Sequence, residues 1–429
     1  MKTLRKTTLK KNIFLAFCIM TFSVSVAQVK TLTIDLCQQK ARDNFPLIKK
    51  FELLEASKDY TLSNISKAYL PQVSFKAQAT YQSAVTGLPL KIPGIDVPTL
   101  SKDQYKTSLD MSQLIWNGGQ TSAQRNISKA SNEVEKQRLE VILYSIREQV
   151  NQLYFGILSI SEQTRQLEII ASDLLSSFNT VNALVVSGNA MSSDRDMVKV
   201  EMLNIAQKQT ELQSMKIAYI QMLAAMINES IASDDAFEKP AETTISLDQN
   251  ILRPELQLYA TQGKLLNTQN STIESKNMPQ LALFAQGGYG KPGLNMLANE
   301  FDFFAIAGLR MSWNFGNLYS KKNDKSLIKN NQHILNLEEE TFRYKTNLKV
   351  LQAQNEVFAN KKLLSQDDEI ITLRSNIKQA AQSKHRNGIY TTNDLIKDIN
   401  AESQAKQTKA LHEINYLMSI YQHNFIVGK

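Results

Sequence analysis

Two stretches of the sequence carry residue types that could support enzymatic chemistry. The first, residues 288–293, matches the G-x-G-x-x-G pattern that holds a dinucleotide phosphate on backbone amides. Pro292 has no amide hydrogen to donate, and a second alternating apolar run follows within about ten residues, where the pattern requires a helix. We therefore interpret these glycines as the tip of a barrel hairpin.

The second stretch begins like the helix of a zinc protease. His412 and Glu413 are present, but Tyr416 occupies the position of the second zinc-binding histidine. The chain has four histidines, none at ligand spacing: His333, His385, His412 and His423. No nucleophile elbow or phosphate loop is found. We expect no catalysis, no metal and no cofactor.

The N-terminus has the features of an export signal. Basic residues precede an apolar core at residues 13–20, and Ser25-Val26-Ala27 supplies the small residues that a signal peptidase requires. We expect residues 1–27 to be cleaved. Phe17 before Cys18 does not fit a lipoprotein site. Removing the five basic residues of this segment lowers the net charge from +8 to +3, so no nucleic-acid partner is expected.

The order of parts is duplicated, which defines a first repeat at residues 28–240 and a second at residues 241–429. In each repeat a proline lies 25 residues before a second proline, which precedes glutamine. These prolines are Pro46 and Pro71, then Pro254 and Pro279. Equal spacing in both halves predicts one architecture built twice.

Each repeat also contains a long stretch almost free of glycine and proline. Apolar residues recur there at steps of three and four, which is typical of a helix with a narrow apolar seam. Gly188 and Gly388 are expected to end the first long helix of each repeat. The pattern predicts antiparallel helical hairpins at about 119–232 and about 317–427.

Two other stretches alternate with a period of two, which predicts β-hairpins at about 72–113 and about 280–314. Each run is about ten residues long, the length of a tilted membrane-spanning strand. Odd-numbered apolar residues would face lipid and even-numbered polar residues the lumen. The second hairpin alternates less well, because Phe284, Phe304 and Ile306 are out of phase.

Four strands cannot form a closed barrel, which requires about eight. An open strand edge in lipid would leave backbone groups without hydrogen-bond partners. We therefore expect several copies to share one barrel. The alternative is a small soluble sheet packed on a core.

These parts resemble the TolC-like outer-membrane efflux protein family over almost all of the mature chain. The resemblance depends on Asn44-Phe45-Pro46, on Leu-Ile-Trp-Asn-Gly-Gly at residues 114–119, and on each helix-ending glycine with an aspartate six residues later. It implies a mainly α fold with a β-barrel portion. In such a homotrimer, four transmembrane strands per chain join a shared barrel, and the helical hairpins form a periplasmic α-barrel.

The resemblance also implies a function. The chain would be the passive outer-membrane exit duct of a tripartite efflux system, in contact with outer-membrane lipid and driven by an inner-membrane pump through a periplasmic adaptor. The hairpin tips at Gly188 and Gly388 would contact the adaptor. Two alternatives are the outer component of type I protein secretion and a secreted coiled-coil structural protein.

In this family a ring of aspartates closes the periplasmic end of the tunnel. By position after the glycine, Asp394 matches the first such aspartate, and Asp194 is its counterpart in the other repeat. The second is expected at 397, where this chain has Lys397, and Asp398 follows on a different side of the helix. Stabilisation of the helix start is the other interpretation of Asp394 and Asp194.

Overall fold

The computed structural model describes residues 31–87, 100–232, 235–243, 245 and 250–429. The predicted export segment, residues 1–27, lies outside these described residues.

The described chain follows the same order of long elements twice. Helices α1 and α2 precede strands β2 and β3 and then the long helices α3 and α4, while α5, β5, β6, α6 and α7 repeat the series. Two short strands, β1 and β4, pair in parallel. The bounds are β1 Thr31–Leu32, α1 Ile34–Asn44, α2 Lys50–Ser66, β2 Gln72–Tyr81, β3 Asp103–Trp116, α3 Gln120–Val186, α4 Ser192–Ile227, β4 Ala236–Phe237, α5 Pro254–Lys276, β5 Gln280–Lys291, β6 Asp302–Ser312, α6 Asn317–Arg386 and α7 Thr392–Val427.

One compact unit contains the described residues of 31–44, 146–245 and 353–422. Here the end of α3 packs on α4 through a shared apolar cluster of Ile160, Leu167, Ile170, Leu174, Val181, Val198 and Leu212. The end of α6 packs on α7 in the same antiparallel way, with Ala381 against Leu395 and Ile399. The seam predicted for the first hairpin is thus its buried face. In α6 the apolar residues at steps of three and four, Ile370, Leu373 and Ile377, are about half exposed, and the contact with α7 is made at Ala381 instead.

The second compact unit contains residues 45–145, 246–352 and 423–429. Its sheet has four strands in the order β2-β3-β5-β6, and every neighbouring pair is antiparallel. Helix α5 packs beside the start of α6, where the rings of Tyr259 and Phe342 are 5.9 Å apart. The two predicted β-hairpins therefore form one continuous sheet.

The predicted fold class is confirmed in its parts, since the chain is mainly helical and carries long helical hairpins with four strands. Helix α3 contains one stretch that is long and apolar enough to cross a membrane by length and composition alone. The core helix of a water-soluble protein meets the same criterion.

Candidate functional site

The register of the sheet divides its side chains between two faces. Phe75 is paired with Leu109, and Leu283 is paired with Leu309. Up to the bulge after Leu114, odd-numbered residues of all four strands share one face and even-numbered residues share the other. We call these the apolar face and the polar face. The odd-numbered residues expected to face lipid lie on the apolar face, and the even-numbered residues expected to face the lumen lie on the polar face.

The apolar face is open. Large hydrophobic side chains on it expose between a third and four fifths of their surface, including Val73, Phe75, Leu109, Leu283, Phe303, Leu309 and Met311. Such a contiguous exposed apolar surface is unusual in a water-soluble monomer and indicates an interaction with lipid or protein.

Aromatic residues lie at both ends of this face. At the end with the strand-connecting loops, the ring of Tyr289 is 5.5 Å from Phe301 and 4.7 Å from Phe303. At the end next to the long helices, the ring of Trp313 is 4.7 Å from Phe315, and its indole N–H donates to the Asn277 carbonyl at 3.0 Å. Amphipathic rings at both ends of an apolar band are typical of membrane strands.

The polar face carries a hydrogen-bonded charge pair. Lys76 Nζ lies 2.7 Å from Asp110 Oδ2, and Gln286 Nε2 donates to Asp110 Oδ1 at 2.6 Å. The strands on both sides of β3, β2 and β5, thus each contribute one side chain to a cluster centred on Asp110. These contacts satisfy the carboxylate without any group from the apolar face.

The out-of-phase aromatics Phe284 and Phe304 are also placed on the polar face. Phe304 is directly opposite Gly288, and Phe284 is directly opposite Gly308. A Cβ on Gly288 would lie 2.4 Å from Phe304 Cζ, so the missing side chain makes room for the ring. The poor alternation of the second hairpin therefore has a packing cause on the neighbouring strand.

Both outer strands of the sheet have one edge without a partner strand in the described chain. β2 bonds only to β3, and β6 bonds only to β5. Neither edge is closed by the other, because the sheet order is linear. These edges are long, at 10 and 11 residues, and offer their backbone groups to a further strand.

The two helical hairpins turn in the same way at their tips. Gly188 has φ +75° and Gly388 has φ +71°, the left-handed conformation that favours glycine. The N–H of each glycine donates to the carbonyl three residues earlier, and the next N–H donates five residues back, to Leu184 or Lys384. These bonds form a Schellman motif, so both glycines end their helices as predicted.

The aspartates after these turns bond to the starts of the following helices. The Met191 N–H donates to Asp194 Oδ2 at 3.0 Å. In the second tip the Thr391 hydroxyl donates to Asp394 Oδ2 at 2.6 Å, and the Asp394 N–H donates back to the hydroxyl at 3.2 Å. Both carboxylates therefore cap a helix, which is the second interpretation given to them from the sequence.

The other gate candidates lie on different sides of α7. Lys397 is exposed, whereas Asp398 is partly buried. The negative charge of Asp398 raises the pKa of the Tyr390 hydroxyl, and burial and Asp394 add to the effect. The structure thus brings Asp394 and Asp398 together beside Tyr390 and leaves Lys397 apart.

Behind the tips, a buried ion cluster connects three helices. Lys378 Nζ on α6 lies 2.6 Å from Glu402 Oε2 on α7 and 3.0 Å from Asp173 Oδ2 on α3. Lys406 also contacts Glu402, whose side chain is only 2% exposed. Burial would raise the pKa of Glu402, but Lys378 and Lys406 outweigh it, so this pKa is lowered.

The residues considered for enzymatic chemistry have structural surroundings. Gly288 and Gly290 lie inside strand β5, which is followed by a strand and not by a helix. His412 Nδ1 lies 2.8 Å from Asp367 Oδ2. Among the described residues no group of three or more His, Cys, Asp or Glu side chains could hold a metal ion.

Solved structures of bacterial outer-membrane channels share this architecture. The outer-membrane channel OprN superposes with a TM-score of 0.66 at 13% identity, covering 92% of this chain and 89% of that one. VceC of Vibrio cholerae superposes with a TM-score of 0.65 at 10% identity, covering 92% of this chain and 95% of that one. The open-state MtrE channel of Neisseria gonorrhoeae superposes with a TM-score of 0.65 at 12% identity, covering 92% of this chain and 88% of that one.

The chain has the fold of these outer-membrane channels. The resemblance inferred from Asn44-Phe45-Pro46 and the helix-ending glycines is thereby confirmed at the level of the fold. No protein-family model matches the chain, and no curated protein sequence does. The order and spacing of weak motifs carried information that the sequence comparisons did not detect.

Some residues of this channel fold escaped the sequence analysis. Tyr390 and the buried pair of Lys378 and Glu402 were not singled out. An aromatic residue two places after the helix-ending glycine was the available indication for Tyr390. Nothing local marks Lys378, because its partners lie on other helices.

Proposed function

We propose that the chain is the outer-membrane channel of a tripartite efflux system. Three copies would share one barrel and form a passive exit duct for small molecules, with energy supplied by an inner-membrane pump through a periplasmic adaptor. The observation that carries the proposal is the four-stranded sheet, which has an exposed apolar face and two unpaired edges. In lipid, both features are stable only when further copies close the sheet.

The dimensions of the sheet support a membrane location. Strands rise about 3.3 Å per residue, so ten residues span about 33 Å, and a tilt of about 40° reduces this height to about 25 Å. That value is the height of the apolar band of an outer-membrane barrel. The aromatic residues around Tyr289 and Trp313 would lie at the two lipid–water interfaces.

A second surface supports association between copies. The first part of α6 exposes an apolar seam at steps of three, four and seven residues. It comprises Leu327, Ile334, Leu337, Tyr344, Leu348 and Leu351, each about half exposed or more. A seam of this spacing packs well against another helix. We assign it to a neighbouring copy in the trimer.

The hairpin tips are the proposed contact with the adaptor. Gly188 and Gly388 form equivalent turns, and a ring of three copies would present six such turns to a partner. At the same end we propose Asp394 and Asp398 as the acidic residues of the periplasmic gate. Asp194 is the counterpart of Asp394 in the first repeat and caps α4 in the same way, and Lys397 is a cation at the position expected for the second aspartate.

The proposal is tested by conductance. The protein extracted from outer membranes in detergent and added to a planar bilayer should produce discrete single-channel currents. A protein recovered as a soluble periplasmic monomer that gives no current would contradict it. Identification of the pump that co-purifies would distinguish small-molecule efflux from type I protein secretion.

The gate assignment needs its own measurement. A trivalent cation added to the periplasmic side should block the current, and Asp394→Ala should weaken the block by removing a carboxylate from the constriction. Thr391→Ala removes the other partner of the same helix cap and keeps the carboxylate, so it is the matched control and should leave the block unchanged. Equal blockade in the parent protein and in Asp394→Ala would remove the gate role.

A further inference from the structure

Two cations on the polar face suggest which solutes the channel favours. We propose that Lys106 and Arg310 make the barrel lumen selective for anionic solutes. The inference rests on the proposed function, because only a closed barrel turns the polar face into a lumen wall.

Cations outnumber carboxylates on the polar face. Among the described strand residues this face carries three cations and two carboxylates. Lys76 and Asp110 neutralise each other at 2.7 Å. Asp302 lies at the loop end of β6, where it accepts the N–H of Phe303. In the described part of the chain, Lys106 and Arg310 have no carboxylate within ion-pair distance.

Aromatic rings, and not carboxylates, hold these two cations. Lys106 Nζ lies 4.6 Å from the centre of the Phe304 ring, and the Arg310 guanidinium lies 4.7 Å from that of Phe284. The ring faces attract the cations electrostatically without cancelling their charge. An ordinary ion pair would leave no net charge for a solute, whereas these two contacts leave a full positive charge at the wall.

The position of each ring is set by a glycine on the neighbouring strand. Phe304 is 7% exposed and fills the space opposite Gly288, while Phe284 fills the space opposite Gly308. Each aromatic ring is thus seated over a glycine and covered by a cation. The same arrangement of glycine, ring and cation occurs twice, which explains why Phe284 and Phe304 are out of phase with the alternation of the strands.

The register also places the two cations at different heights. Lys106 is opposite Gly290, near the loop end of the sheet, and Arg310 is opposite Ala282, near the helix end. In a barrel of three copies each would form a ring of three. Rings of one charge in a narrow pore with a low-dielectric wall concentrate ions of the opposite sign. Carboxylates, sulfonates and phosphate esters are the solute classes that such rings would favour.

The test is the ratio of anion to cation permeability, measured from the zero-current potential across a bilayer with a potassium chloride gradient. The double variant Lys106→Gln/Arg310→Gln should lower this ratio about two- to fivefold at ~0.1 M salt and less at ~1 M, where charges are screened within about 3 Å. Lys291→Gln, on the apolar face of the same sheet, should leave the ratio unchanged.

A charge-preserving variant, Lys106→Arg/Arg310→Lys, keeps the measurement informative if the neutral variant assembles poorly, and it should retain the parent ratio. Normal conductance with an unchanged ratio in the neutral double variant would overturn the inference and leave the channel standing. Absence of conductance in the parent protein would instead overturn the channel, and the inference with it.

Discussion

Gly188 and Gly388, 200 residues apart, end their helices with the same pair of backbone hydrogen bonds and nearly the same positive φ. The two tips are therefore one turn built twice. No heavy atom lies near the Cβ position of either glycine, so only backbone conformation requires them.

Gly388→Ala should destabilise the hairpin tip by about 1 kcal/mol, because an L residue in the left-handed region is strained. Thermal unfolding of the purified protein and hydrogen exchange at the tip would measure the effect. Gly263→Ala, in the interior of α5 with its nearest neighbour at 3.8 Å, is the control. This control should be neutral or stabilising, and equal losses in both variants would contradict the assignment.

Phe75→Arg should impair assembly, since Phe75 is 71% exposed on the apolar face and a charge near the bilayer midplane costs about 2–4 kcal/mol. Lys76→Gln, one residue along the same strand, should assemble normally, because Gln286 still bonds to Asp110. The yield of heat-sensitive oligomer on unheated gels reports the difference. Equal effects of the two changes would show that the faces are wrongly assigned.

Gly288→Ala should destabilise the sheet by about 2–3 kcal/mol. The added Cβ would lie 2.3 Å from the backbone oxygen of Thr107 and would also displace the Phe304 ring. Gly287→Ala is a close control. Its added Cβ would lie on the apolar face, where the nearest heavy atom is 4.0 Å away. The melting temperature of the oligomer should fall for the first variant only.

Lys378→Met should destabilise the helical hairpins by about 2–3 kcal/mol, because it leaves the buried Glu402 with a single cation, Lys406. The lowered pKa of Glu402 means that its contribution is complete above the unfolded value near ~4.3 and is lost as pH falls through the folded pKa.

Stability of the parent protein should therefore decrease more steeply than that of Lys378→Met on acidification below about pH 4. Chemical denaturation across this range measures the two slopes. A variant that matches the parent at every pH would show that the ion cluster contributes nothing measurable.

The facing of the strands could be predicted from sequence because alternation is a local property. Val73 to Tyr81 shows it within a single strand, and the register confirms the phase. Phe284 and Phe304 could not be explained in this way. Each ring occupies the space opposite a glycine on the neighbouring strand. The pairing of two strands cannot be seen in the pattern of one strand.

The same distinction applies to the tips. The hydrogen bonds at the tip around Gly388 and Asp394 join residues three to five positions apart, so the spacing of these residues was informative. The cluster of Asp173, Lys378 and Glu402 joins three helices, and Asp173 is 205 residues from Lys378. Such contacts depend on tertiary packing and leave no periodic trace in the sequence.

The number of copies in the native assembly tests the central claim most directly. Native mass spectrometry of the protein extracted in detergent from outer membranes should show three chains, since four strands with two open edges cannot close alone. A folded single chain released from the detergent micelle would contradict the shared barrel, and the proposed channel would then have no wall.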